Sequence, residues 1–133
     1  MQRKMLMGKI HRATVTEANL AYQGSISIDA DLLDAAGILE FEQVEVWNIT
    51  NGNRFSTYAM EAPRGSGTVC INGAAAHKAR PGDLVIVANF AWIHETEAHY
   101  HKPKIVLVDG ENKPVGQKTE PAPHTLRVMN MLM

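Results

Sequence analysis

Ser25 directly follows Gly24 in the run Leu20 to Asp29, which places a hydroxyl within reach of the preceding carbonyl. Taken alone the dipeptide is a turn signal. Attack of the hydroxyl on the Gly24 carbonyl is an N→O acyl shift that turns the amide into an ester on the serine oxygen. The step needs strained local geometry and a donor for the oxyanion, and glycine on the carbonyl side removes the Cβ that would crowd it. Serine is a weak nucleophile, so a nearby hydroxyl, amide or water has to assist. β-Elimination of the ester frees Gly24 as a carboxylate and leaves dehydroalanine. Water converts that residue to a pyruvoyl carbonyl with loss of ammonia.

Other chemistry-bearing runs are less specific. His94, His99 and His101 lie among Glu95 and Glu97, but His94 and His99 are spaced i, i+5. A zinc pair on one helix face needs i, i+4, and this spacing puts the imidazoles about 140° apart at 100° per residue. A solvated, partly helical segment is the expectation, with no metal. Gly65-Ser66-Gly67 is a fragment of a phosphate loop without the Gly-Lys-Ser/Thr that would complete it. Cys70, in the apolar run Thr68 to Ile71, reads as a small buried core residue.

The elements that must position Ser25 are mostly short strands. Met5–Thr16 is rich in β-forming residues, and Ser25–Ile28 alternates polar and apolar. Asp29 is placed to cap a two-turn helix over Ala30–Ala36, which Gly37 would end. Val44–Ile49 and Arg54–Met60 flank Asn51-Gly52, which predicts a type I′ hairpin with both central residues at positive φ. Strands are also expected at Thr68–Ile71, Leu84–Phe90 and Lys104–Asp109, and a short helix at Ala74–His77. Pro121, Pro123 and the Met-rich end predict a loose tail. Many short strands with little helix make the chain mainly β, a small barrel or sandwich.

Bulk composition narrows the partners. The 133 residues carry 13 basic and 14 acidic side chains in scattered positions, so no electrostatic footprint for nucleic acid or a membrane surface is present. A single cysteine cannot form an intrachain disulfide, which fits a reducing compartment. With no apolar stretch long enough for a signal peptide or a span, a cytoplasmic location is the expectation.

Several separated segments together resemble a known family. They are Lys9-Ile10-His11-Arg12 through Thr16, Tyr22-Gln23-Gly24-Ser25, Asp34 to Leu39, Asn51-Gly52-Asn53-Arg54-Phe55-Ser56-Thr57-Tyr58, Asn72-Gly73-Ala74-Ala75-Ala76 and Gly82-Asp83. They run in order over roughly the first 90 residues. The chain resembles the bacterial pyruvoyl-dependent aspartate 1-decarboxylases, which make β-alanine for pantothenate and coenzyme A. The resemblance implies a small double-psi β-barrel with one or two short helices, and chain length and pattern give a single domain over residues 1–120 followed by a flexible tail at 121–133. It implies self-cleavage into a β chain, residues 1–24, and an α chain, residues 25–133, that begins with the pyruvoyl group made from Ser25. It also implies a homotetramer of processed protomers, with active sites between neighbours; maturation is either spontaneous or assisted by a maturation factor, and both alternatives stand.

In the mechanism the resemblance implies, the pyruvoyl ketone condenses with the amine of L-aspartate and accepts the electrons left by the departing carboxylate. Tyr58 matches the proton donor, and Thr57 matches a residue linked to self-processing and substrate contact. On a regular strand those two face opposite ways, and a β-bulge would be needed for both to reach one site. Lys9 and Arg54 match carboxylate holders, and Gly73, Ala74 and Ala75 match a backbone substrate-binding segment. His11, Tyr22, Trp47 and Asn72 are pocket-lining candidates with no assigned step. Two other readings stand beside this one: an unprocessed β-barrel binding module, and a pyruvoyl decarboxylase for another amino acid such as glutamate.

Overall fold

The computed structural model describes residues 1–21 and 23–118, so Tyr22 and the expected tail at 121–133 lie outside the described residues. The chain runs β1 (Gln2–Thr14), β2 (Glu17–Asn19), β3 (Ser25–Asp29), α1 (Ala30–Ala36), β4 (Gln43–Asn48), β5 (Arg54–Ala62) and β6 (Val69–Asn72). A 3₁₀ helix (Gly73–His77), β7 (Leu84–His94), α2 (Glu95–Ala98), β8 (Lys104–Val108) and β9 (Pro114–Lys118) follow. The strands hydrogen-bond in the order β2-β6-β3-β5-β4-β7-β1-β8-β9. The mainly β class holds, with the short helices where the sequence puts them. Among the described residues no helix is long and apolar enough to cross a membrane.

The core lies on one side of this curled sheet. Ile10, Ile26, Ile28, Val44, Val46, Ala59, Ile71, Val85 and Val87 are fully buried there, and α1 adds Leu32 and Leu33. Alternate residues of each strand therefore point the other way, and this outward face bears Ser25, Tyr58 and Asn72. Gly8 is required where β1 passes under α1, because a Cβ there would collide with the Ala36 backbone carbonyl.

The helix caps behave as local sequence predicts. The Asp29 side chain accepts the Asp31 N–H, and Gly37 sits at φ 71° in the left-handed region. The β4–β5 connection does not. Gly52 has φ 79°, but Asn51 is not at positive φ, so the turn is not type I′. The last paired residues are Trp47 and Arg54, leaving a wider loop. Asn48 is the reason: its Oδ1 accepts from Thr50 N–H and Asn51 N–H, replacing a two-residue turn by a side-chain-closed one. Two strands escape sequence reading, β2 and β9, both short and on the sheet edges.

Asp29 joins this frame to the site, since it ends the strand that Ser25 begins. Buried at 1% exposure, it accepts N–H bonds from Gly65 and Gly67, each at 2.9 Å, besides that of Asp31. Burial alone raises its pKa, but those three donors and the Lys113 charge outweigh it and hold the carboxyl below its ordinary value. The unfolded chain thus binds the proton first as pH falls. The stabilisation is complete above the unfolded value near pH 4 and is lost as pH drops through the lower folded value. Asp29→Ala is expected to cost about 3 kcal/mol at neutral pH by urea unfolding. Asp29→Asn should flatten the acid limb of the stability curve, and an unchanged acid limb would remove this role.

Candidate active site

Cross-strand partners share a face, so the register shows which side chains stand together. Ser25 pairs with Asn72 and Ser27 with Cys70 between β3 and β6, while Glu17 pairs with Cys70 between β2 and β6. On the other flank Ser27 pairs with Met60 of β5, and Tyr58 lies two residues back on that same face. Ile26, Ile28, Ala59 and Ile71 occupy the opposite face, in the core. Four adjacent strands thus present a polar strip backed by a dry one.

On this strip lies a cavity of about 660 Å³ whose lining includes Ser25, Ser27, Tyr58, Cys70 and Asn72. Ser25 is 5% exposed. Asn72 Nδ2 donates to Ser25 Oγ and to Ser27 Oγ, both at 3.0 Å. Cys70 Sγ donates to Asn72 Oδ1 at 3.2 Å. Burial, and then the Glu17 carboxylate, push the Cys70 thiol up, so it keeps its proton at neutral pH. The Ser25 oxygen accepts from an amide and keeps its own proton to give. That polarity fixes the side chain and leaves the O–H proton free for a base to take, as a serine nucleophile requires.

Gly24 is exposed, and a Cβ added there meets nothing within 4 Å beyond its chain neighbours. Packing within the chain therefore does not impose this glycine. Its value lies next to its own carbonyl, which Ser25 Oγ would attack.

The structure brings together only part of the expected set. Lys9 pairs with Ala88, Ala88 with Glu45 and Glu45 with Ser56, so Lys9 shares the outward face of Tyr58. It is nevertheless four strand spacings from Ser25, about 19 Å along the sheet. Arg54 also shares that face but is four residues from Tyr58, about 13 Å along β5. Its guanidinium lies over the Trp47 ring at 5.1 Å, toward β4. Trp47 and Arg54 line a separate hollow of about 250 Å³.

Thr57 and His11 lie off this strip, while Gly73, Ala74 and Ala75 continue directly from Asn72. Thr57 pairs with Val44, whose side chain is in the core, and β5 shows no register shift against β3 or β4, so Thr57 faces away from Tyr58. His11 sits at a bulge of β1 between Ile10 and Ala13, beside Arg12 at φ 64°. Its Nδ1 is buried without a hydrogen-bond partner. Burial, followed by the charges of Lys9 and Arg12, lowers its pKa and favours the neutral ring. Gly73, at φ 68°, turns the chain out of β6 straight after Asn72 and starts the 3₁₀ helix that holds Ala74 and Ala75.

Sequence reasoning missed Ser27 and the cavity-facing role of Cys70. The signal for Ser27 was present in the Ser25-Ile26-Ser27 alternation. Cys70 was hidden because all four residues of β6 are buried, which erases the polar–apolar period. Glu17 and Glu61 also line the cavity, and no lysine or arginine among the described residues does. Among the described residues no group of three or more His, Cys, Asp or Glu side chains could hold a metal ion.

Comparison with known proteins gives consistent matches. A family model described as aspartate decarboxylase matches residues 1–115. Aspartate 1-decarboxylase of Chromobacterium violaceum is 56% identical over 113 residues, covering 85% of this chain and 90% of that protein. Aspartate 1-decarboxylase of Syntrophobacter fumaroxidans is 56% identical over 117 residues, 88% and 94% of the two chains. The Bordetella avium protein of the same name is 57% identical over 113 residues, 85% and 93%.

Proposed function

This chain belongs to the aspartate decarboxylase family, and from that premise we propose that it converts L-aspartate to β-alanine and CO2 with a carbonyl made from its own Ser25. The observation that carries the reading is Ser25 Oγ, buried at a cavity wall, accepting from Asn72 Nδ2 on the strip that also bears Tyr58. In self-cleavage, Ser25 Oγ adds to the Gly24 carbonyl, the C–N bond breaks and the nitrogen takes a proton. Loss of the Ser25 α-proton then expels the Gly24 carboxylate together with that oxygen. One water enters and one ammonia leaves, which completes the pyruvoyl group.

The surroundings of position 25 fit such a group. The amide of Asn72 is a donor already aimed there, and the adjoining cavity has room for a small amino acid. A pyruvoyl carbonyl supplies an electron sink for loss of CO2 from an amino acid's α-carbon. Tyr58, two residues from Met60 on the same face, is the proton donor to the carbon that loses the carboxylate.

Binding of a dicarboxylic substrate requires cations, and the cavity walls contributed by one protomer are acidic, with Glu17 and Glu61. Lys9 and Arg54 stand on the same outward face but too far along it to reach Ser25. The reading therefore includes a homotetramer in which the Lys9, Trp47 and Arg54 region of one protomer lies against the Ser25 strip of its neighbour. Arg54, pre-oriented on Trp47, then grips the side-chain carboxylate and leaves the α-carboxylate free to depart. The β-alanine produced feeds pantothenate and coenzyme A synthesis.

Turnover tests this directly. Matured protein should release CO2 and β-alanine from L-aspartate and at least about 100-fold less CO2 from L-glutamate, whose extra methylene misplaces one carboxylate. Comparable turnover of glutamate would reassign the substrate. No turnover of any amino acid by cleaved protein would overturn the activity.

A further inference from the structure

We propose that Cys70 is a positioning residue for self-cleavage, fixing the orientation of the Asn72 amide so that its NH2 faces Ser25. The inference rests on cleavage at Ser25 and concerns a side chain to which the reading above gives no part. An asparagine side chain has one accepting and one donating end. Serine hydroxyls can meet either end, so Ser25 and Ser27 alone leave the amide free to take two orientations. A thiol is an S–H donor and a poor acceptor, which breaks the tie in favour of Oδ1 on the Cys70 side.

The geometry carries this through. Cys70 Sγ lies 3.2 Å from Asn72 Oδ1, and the two amide hydrogens are used on Ser25 Oγ and Ser27 Oγ. Cys70 and Asn72 are alternate residues of β6, so both point into the strip. The thiol is buried beside the Glu17 carboxylate, which keeps it a donor rather than a thiolate. With the amide reversed, Ser25 would donate its proton to Oδ1, a weak base that holds the proton without removing it. The oxygen would then lose its fixed donor and the hydroxyl its freedom to transfer the proton.

Two substitutions separate this role from packing. Cys70→Ser keeps a donor and loses volume, whereas Cys70→Val fills the space and cannot donate. Self-cleavage of each full-length precursor, followed by intact mass after purification in its uncleaved state, should run within about twofold of the unaltered chain for Cys70→Ser. For Cys70→Val it should be about five- to tenfold slower, the factor expected for one buried hydrogen bond. Melting temperatures, measured in parallel, identify any variant that has lost its fold; Cys70→Thr, which donates, then takes the place of Cys70→Ser, and Cys70→Ala, which cannot donate, that of Cys70→Val. Cys70→Val cleaving as fast as the unaltered chain, or Cys70→Ser slowed as much as Cys70→Val, overturns the role. An unaltered chain that never cleaves overturns the proposed function as well, so the two failures are distinguishable.

Discussion

Ser25→Ala should yield an uncut chain with no measurable decarboxylase activity, a loss of at least about 10⁴-fold. In the proposed cleavage the Oγ atom is both the attacking nucleophile and the atom that departs with Gly24, and no neighbour can replace it in both roles. Ser27, two residues on, has its hydroxyl on the same strip, but the residue before it, Ile26, is paired with Ala59 and Ile71 and held in the sheet on both sides. The fold should survive the change. Removing Oγ leaves one hydrogen of Asn72 Nδ2 without its acceptor while the other stays on Ser27 Oγ, a cost of about 1–3 kcal/mol. Circular dichroism and a melting temperature near that of the unaltered chain would show that chemistry, rather than structure, had been removed. Activity at the unaltered level in this variant would end the account.

Tyr58→Phe is the second large effect, with the opposite division between maturation and turnover. The chain should still cleave, because Tyr58 lines the cavity from β5 and has no step in the proposed acyl shift. Decarboxylation should fall by about 10²–10⁴-fold, the range for loss of a positioned general acid. The loss should appear in kcat with KM little changed, since proton delivery follows binding. Packing should tolerate the change: among the described residues the Tyr58 hydroxyl has no hydrogen-bond partner, so phenylalanine strands none. Normal turnover in cleaved Tyr58→Phe would leave the proton donor to be sought elsewhere in the cavity.

Much of this frame is legible in the sequence wherever the determining forces are local. Asp29 and Gly37 bracket α1 because a cap bond and a left-handed φ are properties of a few adjacent residues. The Ser25–Ile28 alternation marks a strand with one wet and one dry face, and the structure agrees. Legibility fails where a side chain outcompetes the backbone, as when Asn48 closes the β4–β5 loop in place of an Asn-Gly turn. It fails again where burial is two-sided, as at Cys70.

The site itself is harder, because its pairings are long-range. Asn72 and Ser25 are neighbours only through the antiparallel pairing of β3 with β6, which neither segment specifies alone. Lys9, Arg54 and Ser25 look like one constellation in the sequence but occupy distant stretches of one curved face. Their separation along the sheet is the physical reason a second protomer enters the proposed site. Thr57 shows the limit of motif reading most plainly. It adjoins Tyr58 in sequence, and a strand without a bulge turns it into the opposite face.

The central claim is that Ser25 becomes the catalytic carbonyl by cutting its own chain, and intact mass of the purified, unaltered protein tests it most directly. The account predicts two fragments divided between Gly24 and Ser25, the larger blocked at its amino end and lighter by one ammonia than simple hydrolysis would leave it. A single full-length chain that nonetheless decarboxylates aspartate, or a larger fragment that begins with a free serine amine, would contradict it.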